Sequence, residues 1–224
     1  MRNRNRLVLG ILILVPVLFY LVFQLGSKNK YKELPHFGTP KGITEKGDTV
    51  YHTLPPFSFY DQNHKSYGST NMKGKICVVD FFFTRCPSIC PILLGNLKKV
   101  SEAFPKSSEN ELNLISFSVD PTHDSVEVLQ KYIAKHKITD KRWHFITGNR
   151  DSIYDLMNTK GFLVYKPEPN DEPGKFNHTG IICLIDPEGC IRGQYNGTQD
   201  EEIDRLIGDI QVLRVKYVKN RANK

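Results

Sequence analysis

Neither end of this 224-residue chain carries an acidic side chain. Residues 1–32 hold six Lys or Arg and residues 210–224 hold five, without an Asp or Glu in either stretch. The formal net charge of +7 therefore belongs to the ends, because residues 33–209 set 20 basic residues against all 24 acids, a net of −4. A nucleic-acid reader carries its positive charge on the folded surface, so this distribution argues against one. Cysteine is scarce too: five residues are an odd number and too few for a disulfide framework. Internal repeats and low-complexity tracts are absent. The composition is not that of a disordered chain. Hydrophobic residues make up 39%, with ten Tyr and thirteen Phe, which suffices for one globular domain plus an anchor or tail.

Charge is also missing from Leu7 to Leu25, LVLGILILVPVLFYLVFQL. A helix over those nineteen residues spans about 28 Å, close to the hydrocarbon thickness of a bilayer. Pro16 is tolerable in such a helix. The following Gln24-Leu25-Gly26-Ser27 has neither an A-x-A cleavage pattern nor a nearby Cys to take a lipid. These features predict an uncleaved transmembrane anchor rather than a signal peptide. Arg2, Arg4 and Arg6 place the N-terminus in the cytoplasm and the domain outside, against the weaker pull of Lys28, Lys30 and Lys32. The expected organisation is a cytoplasmic N-terminus and anchor over 1–26, a tether with little structure over 27–50, a folded domain over 51–218 and a basic tail over 219–224. A bacterial inner membrane with the domain on the periplasmic side is the expected location. No Arg- and Ser-rich transit segment precedes the anchor, which disfavours the mitochondrial inner membrane.

Within the domain, Phe57–Tyr60 and the later SYGST read as a short hairpin. Ile76–Phe83 (ICVVDFFF) is the continuous apolar run of a strand buried on both faces. A helical stretch follows, then a second strand over Leu112–Val119 and a helix over Ser125–Lys137. A third strand spans Trp143–Thr147, with a short helix over Asp151–Met157 and another buried strand over Thr179–Asp186. Asp186-Pro187-Glu188-Gly189 is a turn into a hairpin partner at Ile191–Tyr195. Thr198 with Glu201 forms a capping box for a last helix, whose apolar stripe is Ile203, Leu206, Ile207, Ile210 and Leu213. Strands alternating with helices predict an α/β fold with a central mixed sheet and helices on both faces, in the order of a thioredoxin-like fold.

Cys86 and Cys90 stand four apart where the first buried strand turns into a helix. Positions i and i+4 share one helix face, so two sulfurs there can approach each other or a common ion. A helix N-terminus favours negative charge and thereby the thiolate, the form that attacks disulfides and binds metals. Pro91 fits the first turn, where its missing N–H costs nothing. Two bland readings stand beside the chemical ones: a pair of buried structural cysteines, or a structural disulfide. Thioredoxin-type redox motifs have two intervening residues; this one has three. That spacing suits joint ligation at least as well as thiol exchange.

Asp80 to Pro91 (DFFFTRCPSICP) and Asn177 to Gly189 (NHTGIICLIDPEG), with SVDPTHD at Ser118–Asp124, resemble the signature segments of the Sco/SenC family. The resemblance runs from about residue 50 to the last helix. It implies a membrane-tethered, thioredoxin-like copper protein implicated in assembling the binuclear copper site of cytochrome c oxidase. It further implies that Cys86, Cys90 and His178 hold a copper ion. Thiolates suit Cu(I), and imidazole suits copper in either oxidation state. The implied partners are the copper-site subunit of the oxidase and other copper carriers or thiol reductants. Where related thioredoxin-like reductases carry a cis-proline, this sequence has Gly180, which favours a copper-binding assembly factor. The alternative is a thiol–disulfide reductase that maintains the cysteines of the oxidase subunit, an activity with Cys86 and Cys90 as its redox pair.

Other residues are ambiguous. Cys77 and Cys183 read as small core hydrophobes, and Cys190, after the turn, as an exposed thiol open to oxidation. Asp120 reads as a support to the site, Asp124 as a turn or helix cap, and His123 as an exposed loop residue. His36, His52, His64, His136 and His144 read as surface or packing residues.

Overall fold

The computed structural model describes residues 14–18, 33–44, 47–108, 110–158, 161–164 and 180–222. The chain divides into two units, Met1–Glu33 and Leu34–Lys224. In the first, residues 14–18 are helical, and Leu14, Val15, Val17 and Leu18 are exposed. Most of the predicted anchor, Leu7–Leu25, lies outside the described residues. Among those described, no helix is long and apolar enough to cross a membrane.

The second unit opens with a small hairpin of β1 (Gly42–Ile43) and β2 (Thr49–Val50). There follow β3 (Ser58–Asp61), β4 (Ser66–Gly68), the one-turn α1 (Ser69–Met72), β5 (Ile76–Phe82) and α2 (Cys90–Glu102). Next come a 3₁₀ turn at Lys106–Ser108, β6 (Leu112–Ser118), α3 (Val126–Lys135), β7 (Trp143–Thr147) and α4 (Arg150–Met157). The unit closes with β8 (Ile181–Ile185), β9 (Ile191–Asn196) and α5 (Asp200–Ala222). Strands β3 to β9 form one sheet in the order β4-β3-β7-β6-β5-β8-β9. Its centre is parallel, with β5 pairing β6 and β6 pairing β7, while β3 and β8 join antiparallel to give the expected mixed sheet.

Every residue of β5 and β6 is buried, which is what a continuous apolar run demands of a central strand. Their polar members are paired inside, as burial requires. Asn113 donates to the Tyr67 hydroxyl at 3.1 Å, Ser116 to Asp80 at 2.5 Å and Ser118 to Asp124 at 2.6 Å. Ser125 caps α3 and Asn149 caps α4, each accepting a backbone N–H with its side chain. On α5 the predicted stripe faces inward, with Ile203, Leu206, Ile210 and Leu213 buried and Ile207 half-buried.

Two local expectations change. The Thr198 hydroxyl donates to Asn196 Oδ1 (2.7 Å), as does its N–H (3.1 Å), so the expected capping box gives way to an Asx turn two residues ahead of α5. The stretch read as a tether is docked from Leu34 onward. Leu34 is buried, the Phe37 N–H donates to Ile191 O at 2.9 Å, and Arg192 reaches the carbonyls of Leu34 (2.5 Å) and Pro35 (3.0 Å). Polar, Pro- and Gly-rich composition marks a chain without regular structure, which a buried arginine still fastens to a sheet.

Candidate metal and redox site

The C-terminal end of β5 hands the chain to α2 through Thr84–Ile89, and the cysteine pair sits in that turn. Cys90 is the first residue of α2 and Pro91 the second, so the pair lies where backbone N–H groups lack helical acceptors. Pro87, Ser88, Pro91 and Ile92 are exposed, while Cys86 and Cys90 lie just beneath the surface. Both thiols are free. The Cys90 N–H donates to Cys86 Sγ at 3.4 Å, and the Ser88 hydroxyl lies 3.8 Å from that sulfur.

These contacts separate the two thiols. Burial by itself would raise Cys86, but hydrogen bonds from the Cys90 thiol, from the N–H groups of Cys90 and Ser88 and from the Ser88 hydroxyl outweigh it and lower its pKa. Cys90 moves upward, first through burial, then through its bond to Cys86, with the charges of Cys86 and Asp80 adding. Cys86 is thus the more acidic thiol of the pair and Cys90 the less acidic. The arrangement can attack a disulfide through Cys86, or offer two sulfurs to a soft ion once Cys90 gives up its proton.

Two carboxylates fasten the turn to the loop after β6. Asp124, wholly buried, accepts from the Thr84 N–H (3.0 Å), the Thr84 hydroxyl (2.5 Å) and the Ser118 hydroxyl (2.6 Å), and its other contact is His123 Nδ1 at 2.9 Å. Arg85 and Asp120 form an ion pair at 2.6 Å, with the Arg85 side chain 58% exposed and that of Asp120 5%. Asp120 therefore touches the residue beside Cys86. Asp124 holds the turn instead of capping a helix, since Ser125 is the cap. Polar atoms of Asp120, His123 and Asp124 lie within 4.8 Å of one another, so His123 belongs to this cluster although it is exposed.

Asp80 was not singled out by sequence reasoning. It is buried in β5, held by the Ser116 hydroxyl, which in turn accepts from Trp143 Nε1 at 2.9 Å. Burial pushes its carboxyl up to about 7, with the Ser116 bond opposing. Its signal was an acid in the middle of an otherwise apolar run.

His178 lies outside the described residues, so its position relative to the two thiols is not described. Gly180, with φ of +59°, is the first described residue of that arm, and its carbonyl accepts the Gly197 N–H at 2.8 Å. A Cβ at Gly180 would stand 3.8 Å from Ile89 Cδ1, which sets Gly180 itself near the cysteine turn. Among the described residues there is no cis peptide bond. The other three cysteines are buried: Cys77 and Cys183 as expected, each pushed up to about 12 by burial. Cys190 corrects its expectation. It is 5% exposed, because the antiparallel bridge to Thr53 lays the docked N-terminal arm over the turn.

A mixed α/β sheet whose central strand delivers a thiol pair to a helix N-terminus places the protein in the thioredoxin-like class. Within that class, the SCO1/SenC family model matches residues 45–213, and the chain belongs to this family. The SCO1 protein homolog of Bacillus subtilis (strain 168) is 30% identical over 166 residues, which cover 73% of this chain and 84% of that protein. A solved structure described by a disulfide switch in BsSco, "a member of the Sco family of cytochrome c oxidase assembly proteins", superposes with a TM-score of 0.60 at 26% identity, over 78% of this chain and 95% of that one. Bradyrhizobium japonicum ScoI with copper bound superposes with a TM-score of 0.57 at 26% identity, over 72% and 99%.

Proposed function

We propose that this chain is a copper-binding assembly factor for the copper site of cytochrome c oxidase, and that Cys86, Cys90 and His178 hold the copper ion. The observation that carries this reading is the thiol pair at the start of α2, where the Cys90 N–H donates to Cys86 Sγ and the Cys86 thiol is lowered by its hydrogen bonds. Two soft sulfurs and an imidazole form a donor set for copper in either oxidation state. The similarity to a copper-bound ScoI supports the same choice. Oxidation of Cys86 and Cys90 to a disulfide removes both thiolates, so the redox state of the pair decides whether copper is held.

The charge-free run Leu7–Leu25 anchors the chain in a bacterial inner membrane, with the folded domain on the periplasmic side facing the oxidase subunit. The copper-binding domain is the compact unit that starts at Leu34, and α5 carries its basic end to Ala222.

A second reading, the thiol–disulfide reductase acting on that subunit, is favoured by the asymmetry of the pair. A lowered Cys86 beside a raised Cys90 is the order of an attacking and a resolving thiol. Loading the reduced full chain anaerobically with Cu(I), beside His178→Ala, separates the two. One tightly bound copper per chain, much weakened by the substitution, fits the assembly factor. Equally poor binding by both chains, with reductase activity intact in His178→Ala, transfers the function to the reductase.

A further inference from the structure

At the opposite end of β5 a second donor set converges, independent of the cysteine turn. One side-chain ligand atom from each of His36, Asp186 and Cys190 lies within 4.8 Å of the other two. Cys77 at the start of β5 pairs with Ile185, which places Asp186 beyond the strand end away from Cys86. The length of β5, about 20 Å at roughly 3.3 Å per residue, separates the two places.

The backbone segments that carry the three donors are held in place before any ligand arrives. Asp186 Oδ1 accepts the N–H groups of Glu188 (3.0 Å) and Cys190 (2.9 Å), which fixes the turn between two of the donors. Arg192 bonds Asp186 Oδ2 at 3.0 Å and the carbonyls of Leu34 and Pro35, the two residues before His36. On the other side of His36, the Phe37 N–H is bonded to Ile191 O, and the His36 ring stacks on Tyr51 with centroids 3.6 Å apart. Asp186 and Cys190 are buried, whereas His36 is half-buried and leaves a route from solvent.

We propose that His36, Asp186 and Cys190 form a binding site for a divalent borderline metal ion, of which Zn²⁺ is the type. One imidazole, one carboxylate and one thiolate are its ordinary ligands, with water in the fourth position. Tetrahedral bonds of about 2.0–2.3 Å set such ligand atoms about 3.3–3.8 Å apart, so side-chain shifts of about an ångström close the set. Binding breaks the S–H bond of Cys190, forms the metal–sulfur bond and releases one proton to solvent, without change of oxidation state. The Arg192 guanidinium on Asp186 orients the carboxylate and tempers the site's charge. The site ties the docked arm to the β8–β9 turn.

The test uses the full chain with Cys86→Ser and Cys90→Ser, which removes the thiol pair from the reading, and Co²⁺ as a coloured probe. The expected result is one Co²⁺ per chain, displaced by Zn²⁺, with a sulfur-to-cobalt absorption band that Cys190→Ser abolishes and Cys183→Ser leaves. Loss of a residue that only orients a metal ligand weakens metal sites by about 10–100-fold, so His36→Ala, which removes a direct ligand, is expected to weaken binding at least about tenfold. Circular dichroism checks that each variant is folded, and Cys190→Ser, nearly isosteric, remains decisive if His36→Ala is not. No stoichiometric uptake, or a band indifferent to Cys190→Ser, overturns the proposal.

Discussion

The two ends of β5 each join an arginine to an aspartate beside a cysteine, and they do so in opposite ways. At the thiol-pair end, Arg85 stays in water over Asp120, and the neighbouring Cys86 is lowered. At the other end, Arg192 and Asp186 are both fully buried, and Cys190 is pushed up to about 11, chiefly by burial and then by the charges of Asp186 and Glu188. The first arrangement leaves the turn accessible and its more acidic thiol available for chemistry. The second is a fastener, in which one guanidinium satisfies two backbone carbonyls and a carboxylate at once. Burial of a charge pair near a thiol thus accompanies architecture here, and exposure accompanies reactivity.

The largest expected effect breaks the buried fastener. Arg192→Ala leaves Asp186 buried and unpaired and is expected to cost about 3–5 kcal/mol in urea unfolding of the full chain. Next comes Asp124→Ala, which strands the Thr84 and Ser118 donors; a loss of about 3 kcal/mol is expected, with faster thiol alkylation as the turn loosens. Arg85→Ala is expected to cost only about 1 kcal/mol, because water takes the place of a half-exposed guanidinium over Asp120.

Two pH measurements sharpen the same contrast. Asp80 has a folded pKa of about 7 against an ordinary value near 4, so the folded state holds the extra proton between them. Stability contributed by this group is complete below about pH 4 and is lost as pH rises to about 7. Asp80→Asn should flatten that decline in unfolding free energy against pH. Alkylation of the reduced chain should label Cys86 ahead of Cys90 at neutral pH, and the rate should persist below the pH range of an ordinary thiol, as mass mapping of a pH series would record.

Much of the sheet was legible because its strands are set by local pattern. ICVVDFFF and LNLISFS have a composition that only a central strand can bury, and the Cys-Pro bracket marks the turn into α2. What escaped was decided by partners remote in sequence. The segment after Leu34 carries no apolar periodicity and is fixed by Arg192, more than 150 residues away. Cys190 follows a turn glycine, which reads as exposed until the Thr53 bridge covers it. Asp80 gains its raised pKa from burial, against the opposing bond of a serine on the adjacent strand, and neither is visible in its own neighbourhood. Asp124 stands directly before a helix, where a cap was a natural reading, yet its oxygens turn back to Thr84, forty residues earlier.

X-ray absorption at the copper edge, on the anaerobically Cu(I)-loaded full chain, tests the central claim most directly. The account predicts two sulfur scatterers and one nitrogen, with the nitrogen lost in His178→Ala and a sulfur lost in Cys86→Ser or Cys90→Ser. A sulfur-only shell that His178→Ala leaves unchanged would contradict it.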